Sequence, residues 1–164
     1  MKILKLIAIT AIALSLSLNA ADHPAKKGFM AHLKAVKASV PALTPQDLMK
    51  WNKSGKKFIL VDVRKESEVA MGTIDADNAL KITRGYLEFS GILKNQLPID
   101  KTIVIYCAKG ARGALAAKVL IDNGYKNVYN LTGGVYAWLD AGYPIVSAYG
   151  TLKKVPDSET GLEQ

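Results

Sequence analysis

The chain of 164 residues has one cysteine, Cys107, so no disulfide can close within it. It has two histidines, His23 and His32, both near the N-terminus, so the imidazole that most often activates a nucleophile is missing from the rest of the chain. No run of His, Cys, Asp and Glu carries metal-ligand spacing, and neither a phosphate-binding glycine loop nor a Ser/His/Asp set occurs. Aromatic residues make up only 7% of the chain and no basic stripe interleaves them, which argues against nucleic acid as a partner. Cofactor and metal chemistry are therefore not expected.

One apolar run stands out. Lys2 and Lys5 precede "LIAITAIALSLSL", and Asn19, Ala20 and Ala21 follow it. This is the layout of a secretory signal peptide over residues 1–20, with cleavage after Ala20 or Ala21. The run is shorter than the roughly 20 residues a spanning helix needs, although an uncleaved anchor is the alternative. About 144 residues remain after cleavage, enough for one ordinary domain with a core. Lys and Arg number 22 against 14 Asp and Glu; without Lys2 and Lys5 the net charge is +6, carried largely by scattered lysines. A surplus of that size suits a small anionic substrate or simply a solvated surface.

Residues 21–41 read as a leader in which "FMAHLKAVKAS" spaces Phe29, Leu33 and Val36 as a helix does. In "LTPQDLMKWNKSG", Thr44 can cap a helix, Pro45 suits its first turn and Gly55 ends it. The unbroken apolar runs "KFILVDV", "KTIVIYC" and "KNVYNL", with a weaker one in "NALKI", predict strands covered on both faces. Between them "ESEVAMG", "RGYLEFSGILKNQL", "ARGALAAKVLIDNGY" and "GGVYAWLDAGY" have helical character. The pattern is α/β: a single domain over residues 42–148 with a central, mostly parallel sheet and helices on both faces. Residues 149–164 read as a disordered tail.

Ligands of open α/β sheets gather at the C-terminal ends of the strands, and Cys107 directly follows "TIVIY". A strand end, the short turn Ala108–Lys109–Gly110 and a helix start converge free backbone N–H groups, with the helix dipole positive there. Cysteine has an ordinary pKa of about 8.5, and a helix N-terminus with cations beside it lowers that to roughly 3.5–7.5. Lys109 and Arg112 supply the cations, so a nucleophile here needs no base. A lone cysteine at a strand end is, by itself, equally at home as a small core residue. The glycine and two cations of the loop, in an exported chain, favour the reactive reading.

"FILVDVRKESEVAMGTIDADNALKI" followed by "IVIYCAKGARGALAAKVLIDNGYKNVYNLTGGVYAWLDAGYPI" resembles the rhodanese-like sulfurtransferases over about residues 42–146. The "DVR…E…G.I..A" block, the six-residue Cys-to-Arg loop and the "GG…W…G.P" ending occur together and in the family's order. The resemblance implies that Cys107 attacks a sulfane sulfur, holds it as a persulfide and passes it to cyanide, a thiol or sulfide. The amides of Ala108, Lys109, Gly110, Ala111, Arg112 and Gly113 would cradle the persulfide, Lys109 and Arg112 would bind the anionic donor, and Asp62 would support the site structurally. Related phosphatases and arsenate reductases use a loop one residue longer, whereas four residues separate Cys107 from Arg112 here.

The leader helix, "VRKESEVAMG" and "TRGYLE" are similar more narrowly to periplasmic polysulfide-sulfur transferases, single-domain proteins of sulfur-respiring bacteria. Polysulfide and thiosulfate are both anions that could serve as donor, and that likeness favours polysulfide; it also implies a periplasmic location, Arg64 and Arg84 as further substrate-binding cations, and a homodimer, while a membrane-bound sulfur or polysulfide reductase is the partner a sulfur carrier would serve. Lys109 and Gly110 depart from the subgroup's loop. A carrier that hands on sulfur without turnover, and a non-catalytic interaction module, are the other classes; the intact Cys107, Lys109 and Arg112 speak against the module.

Overall fold

A computed structural model describes residues 24–87 and 96–153. Five parallel strands form the central sheet in the order β1-β5-β4-β2-β3, namely Ala42–Leu43 (β1), Ile59–Asp62 (β2), Ala79–Lys81 (β3), Ile103–Tyr106 (β4) and Val128–Leu131 (β5). The unbroken apolar runs are explained by their surroundings: Ile103, Val104, Ile105 and Tyr106 are all buried, because both faces of β4 are covered. On one face, helix α1 (Pro24–Ser39) and helix α5 (Ala111–Asp122) enclose Val36, Val61, Ile105, Ala117 and Leu120. On the other, α2 (Pro45–Lys53) and α6 (Gly134–Asp140) enclose Leu48, Leu60, Val104 and Trp138. The short helices α3 (Glu66–Val69) and α4 (Arg84–Leu87) follow the C-terminal ends of β2 and β3.

Thr44 caps α2 as its sequence predicts: its Oγ1 accepts the Asp47 N–H at 3.1 Å and donates to the Asp47 carboxylate at 2.7 Å, with Pro45 in the first turn. The leader helix starts five residues earlier than Phe29, at Pro24. Proline is well placed in a first turn, and Ala25, Lys26 and Lys27 are good helix formers, which together carry the helix past Gly28. Two elements depart from expectation. Strand β1 is only two residues long and pairs with β5 at Ala42↔Asn130 and Leu43↔Leu131. Residues expected to begin the tail instead form the second strand of an antiparallel hairpin, β6 (Ile145–Ser147) with β7 (Gly150–Leu152). The hairpin is tied to the loop after α3 by a bridge between Thr73 and Val146. The expected signal peptide, residues 88–95 ("EFSGILKN") of "RGYLEFSGILKNQL" and the last eleven residues lie outside the described residues. No described helix is long and apolar enough to cross a membrane.

Candidate active site

Strand β4 delivers Cys107 to the C-terminal edge of the sheet, where the thiol lies buried at the base of the loop that leads into α5. The Gly110 N–H donates to Cys107 Sγ at 3.2 Å. Two carbonyls of the loop are engaged elsewhere: the Val135 N–H donates to the Cys107 carbonyl at 2.8 Å, and the Tyr136 N–H to that of Ala108 at 3.1 Å. The first turn of α6 thus turns the loop's acceptors away from the sulfur. What remains around Sγ is donor character, from Gly110 and from the first-turn amides of α5 at Ala111, Arg112 and Gly113, which have no partner within a helix. Gly113 allows the close packing beneath, since a Cβ there would overlap the Asn130 side chain. This loop can hold a sulfur anion without a metal or cofactor.

Arg112 forms a fork to Glu68, its Nη1 and Nη2 each 2.6 Å from a carboxylate oxygen. A cation in the first turn of a helix opposes the dipole, and Glu68 offsets that cost. Glu68 is itself fixed by the Lys65 N–H at 3.1 Å on its carboxylate and by Arg64 Nη1 at 3.1 Å on its backbone carbonyl. The guanidinium of Arg112 is held more firmly protonated than usual, chiefly by the Glu68 hydrogen bonds, with a smaller contribution from Cys107. Glu68, which the sequence reading quotes within the "DVR…E…G" block and places in a helical segment, was given no role there; the structure makes it the partner of Arg112.

Arg64 requires a correction. It is 4% exposed, its Nε and Nη2 bind the Asp62 carboxylate at 3.0 and 2.6 Å, and Nη2 also donates to the Gly72 carbonyl at 2.7 Å. Enclosed in this way, it braces the loop after β2 and cannot turn to meet a donor. Asp62 is its counter-ion and also accepts the Arg64 N–H at 3.0 Å. Tyr106, whose ring lies 5.5 Å from the guanidinium, completes the buried cluster, and burial first and Asp62 second push its hydroxyl pKa upward. Lys109 is exposed on the rim, its Nζ 5.7 Å from the centre of the Tyr136 ring. Arg84 opens α4 just past the end of the edge strand β3, half-buried and two strands, about 10 Å, from the end of β4. Trp138 donates to the Pro144 carbonyl at 2.7 Å, which accounts for the "GG…W…G.P" spacing as a fold-back after α6.

The carboxyl of Glu68 is brought down to about 2 from an ordinary 4.5, chiefly by its hydrogen bonds to Arg112, which outweigh the opposing effect of burial, with smaller help from the Lys65 amide. Since the folded-state value is the depressed one, the pair contributes fully above the unfolded value and loses its contribution as pH falls through the folded value. The melting midpoints of wild type and Glu68→Gln are expected to differ by a constant amount from neutrality down to about pH 5, equivalent to about 1 kcal/mol for a partly exposed pair. The two curves should converge on acidification towards pH 2. A difference that instead shrinks between pH 8 and 6 would show that another group governs Arg112.

The sequence model of the rhodanese-like domain matches residues 44–141. The chain belongs to the rhodanese-like family. Among curated relatives of this rhodanese-like chain is a sulfurtransferase of Allochromatium vinosum, 39% identical over 92 residues, covering 56% of this chain and 81% of the relative. Other curated relatives are longer, and the chain spans 32% of one and 47% of another. Among solved structures, the homodimeric polysulfide-sulfur transferase of Wolinella succinogenes matches with 32% identity and a TM-score of 0.62, over 85% of this chain and 95% of that one. A Rhodopseudomonas palustris protein of unknown function, described as a "possible tyrosine phosphatase", matches with 39% identity and a TM-score of 0.62, over 71% of this chain and 92% of that one. The rhodanese-like chain is thus a sulfurtransferase by family, with four residues between Cys107 and Arg112.

Proposed function

We propose that this chain moves sulfane sulfur from a polysulfide, or from thiosulfate, to a thiophilic acceptor through a persulfide on Cys107, and that it does so in the periplasm. The observation that carries the reading is the loop itself. A thiol at a strand end accepts the Gly110 N–H at the start of α5, while the loop carbonyls of Cys107 and Ala108 are bound to α6. The Cys107 thiolate attacks the terminal sulfur of the donor. One S–S bond forms and one breaks, and the departing chain, or sulfite from thiosulfate, leaves with the electron pair. The Cys107 persulfide is an anion, and the amides of Ala108 to Gly113 are suited to it. Cyanide or a thiolate then takes the outer sulfur and returns Cys107 as thiolate.

Polysulfide is favoured by the likeness to the Wolinella succinogenes enzyme over most of both chains. The periplasmic location rests on the basic start, the apolar run and the small residues at Asn19–Ala21. Lys109 and Arg84 would meet the donor's negative charge from the rim. A homodimer and a membrane-bound reductase as sulfur acceptor complete the proposal. Steady-state formation of thiocyanate from cyanide tests it. With sodium tetrasulfide, many turnovers per Cys107 are expected at a kcat on the order of 1 s⁻¹ or more, and a higher kcat/KM than with thiosulfate. One sulfur loaded per chain with no turnover above the uncatalysed background would make the protein a carrier and sink the enzymatic reading.

A further inference from the structure

Beside the loop runs an apolar groove of about 380 Å³, lined by Met71, Tyr136, Ile145 and Leu152, with Lys153 also in its wall. Its apolar residues are unusually bare: Met71 is 72% exposed, Tyr136 51% and Leu152 45%. Both walls are rooted in the site. Tyr136 donates its backbone N–H to Ala108 of the loop, and Lys109 lies over its ring. Met71 follows the helix whose Glu68 holds Arg112, and the neighbouring Gly72 carbonyl holds Arg64. The floor belongs to Ile145, in the hairpin tied back at Thr73.

The geometry points to a subsite for the leaving chain of a long polysulfide, in which Met71, Tyr136 and Leu152 contact its inner sulfur atoms while Lys109 and Lys153 meet its charged ends. The inference rests on the proposed sulfur transfer and names the form of donor it prefers. Charge is the first reason. Thiolate and polysulfide dianion together bring three negative charges to the loop, and after transfer one stays on the Cys107 persulfide while two depart on a chain shorter by one sulfur. The electron pair of the broken S–S bond ends on the sulfur next to the one transferred, beside the loop, where Lys109 is positioned. Chemistry of the chain is the second reason. Its interior carries little charge and is highly polarisable, so a thioether and an aromatic ring suit it better than water does. Asp140 also lines the groove and disfavours an anion at its own position, so the chain is expected to lie towards Met71 and the two lysines. Thiosulfate, whose leaving group is the compact and strongly hydrated sulfite, gains nothing from such a surface.

The test is the rate at which intact protein gains its first sulfur under subsaturating donor, read by quenched-flow mass spectrometry with sodium tetrasulfide and with sodium thiosulfate. The ratio of the two rate constants is expected to fall about tenfold in Met71→Ser/Tyr136→Ser, in keeping with lost apolar contact to a substrate. A second variant, Lys153→Glu, is expected to lower the same ratio severalfold without touching an apolar residue. If sulfur is gained but the ratio is unchanged in both variants, the groove is not a donor subsite; a surface for a protein acceptor would give that outcome. If wild type gains no sulfur from either donor, the transfer reading fails and the groove fails with it.

Discussion

Gly134→Ala is expected to lower the rate of sulfur loading at least 100-fold and to destabilise the fold by about 2–4 kcal/mol. Gly134 has φ +61°, a conformation costly for any residue with a Cβ, and an added Cβ would come within 2.7 Å of the Ala108 carbonyl oxygen and closer still to that of Cys107. Both obstacles are backbone atoms of the reactive loop, so relief comes only by moving that loop. Moving it breaks the Val135 and Tyr136 bonds that turn its carbonyls away from the thiol. Gly142→Ala provides the contrast: φ is +78° there, but nothing lies within 4 Å of an added Cβ. It should cost only about 1 kcal/mol, with loading intact. Denaturant unfolding and loading rates measured on both variants decide the matter, and equal effects from the two would show that the fit of α6 against the loop is irrelevant.

Cys107→Ser is expected to reduce turnover at least about 1000-fold, to the background of donor and acceptor alone, as loss of a nucleophile does elsewhere. The hydroxyl is nearly isosteric and can still accept the Gly110 N–H, so the loop should keep its shape. What is lost is the chemistry. A serine hydroxyl is not appreciably ionised near neutrality, and oxygen forms no stable counterpart of the persulfide bond. A large loss of activity with an unchanged melting midpoint therefore separates chemistry from folding, which Gly134→Ala does not.

Local features carried the sequence reading, and long-range ones escaped it. Thr44, Pro45 and Asp47 define the start of α2 within four residues, and the loop from Cys107 to Arg112 is contiguous, so both were legible. The parallel sheet followed from the unbroken runs at Ile59–Asp62, Ile103–Tyr106 and Val128–Leu131. Strand β1 left no trace because two residues cannot establish a pattern, and the Ile145–Leu152 hairpin is too short to alternate clearly. The Arg112–Glu68 fork joins residues 44 apart, and no spacing rule reaches that far. One clue was available: a cation at a helix start wants an anion, and the loop after the first long strand supplies acids. Arg64 was misread because a basic residue after a strand end looks aimed at the site. Two positions after Asp62 in extended chain, it shares a face with that carboxylate, and burial makes the pairing obligatory.

In the proposed transfer, Cys107 carries the moving sulfur. Intact mass spectrometry of wild type and Cys107→Ser after brief incubation with polysulfide, followed by fragmentation to locate the added mass, tests it most directly. Wild type should gain one sulfur atom, on the peptide containing Cys107, and lose it on addition of cyanide, while Cys107→Ser gains none. Equal gain by the two proteins, or sulfur on wild type that cyanide does not remove, would contradict the claim.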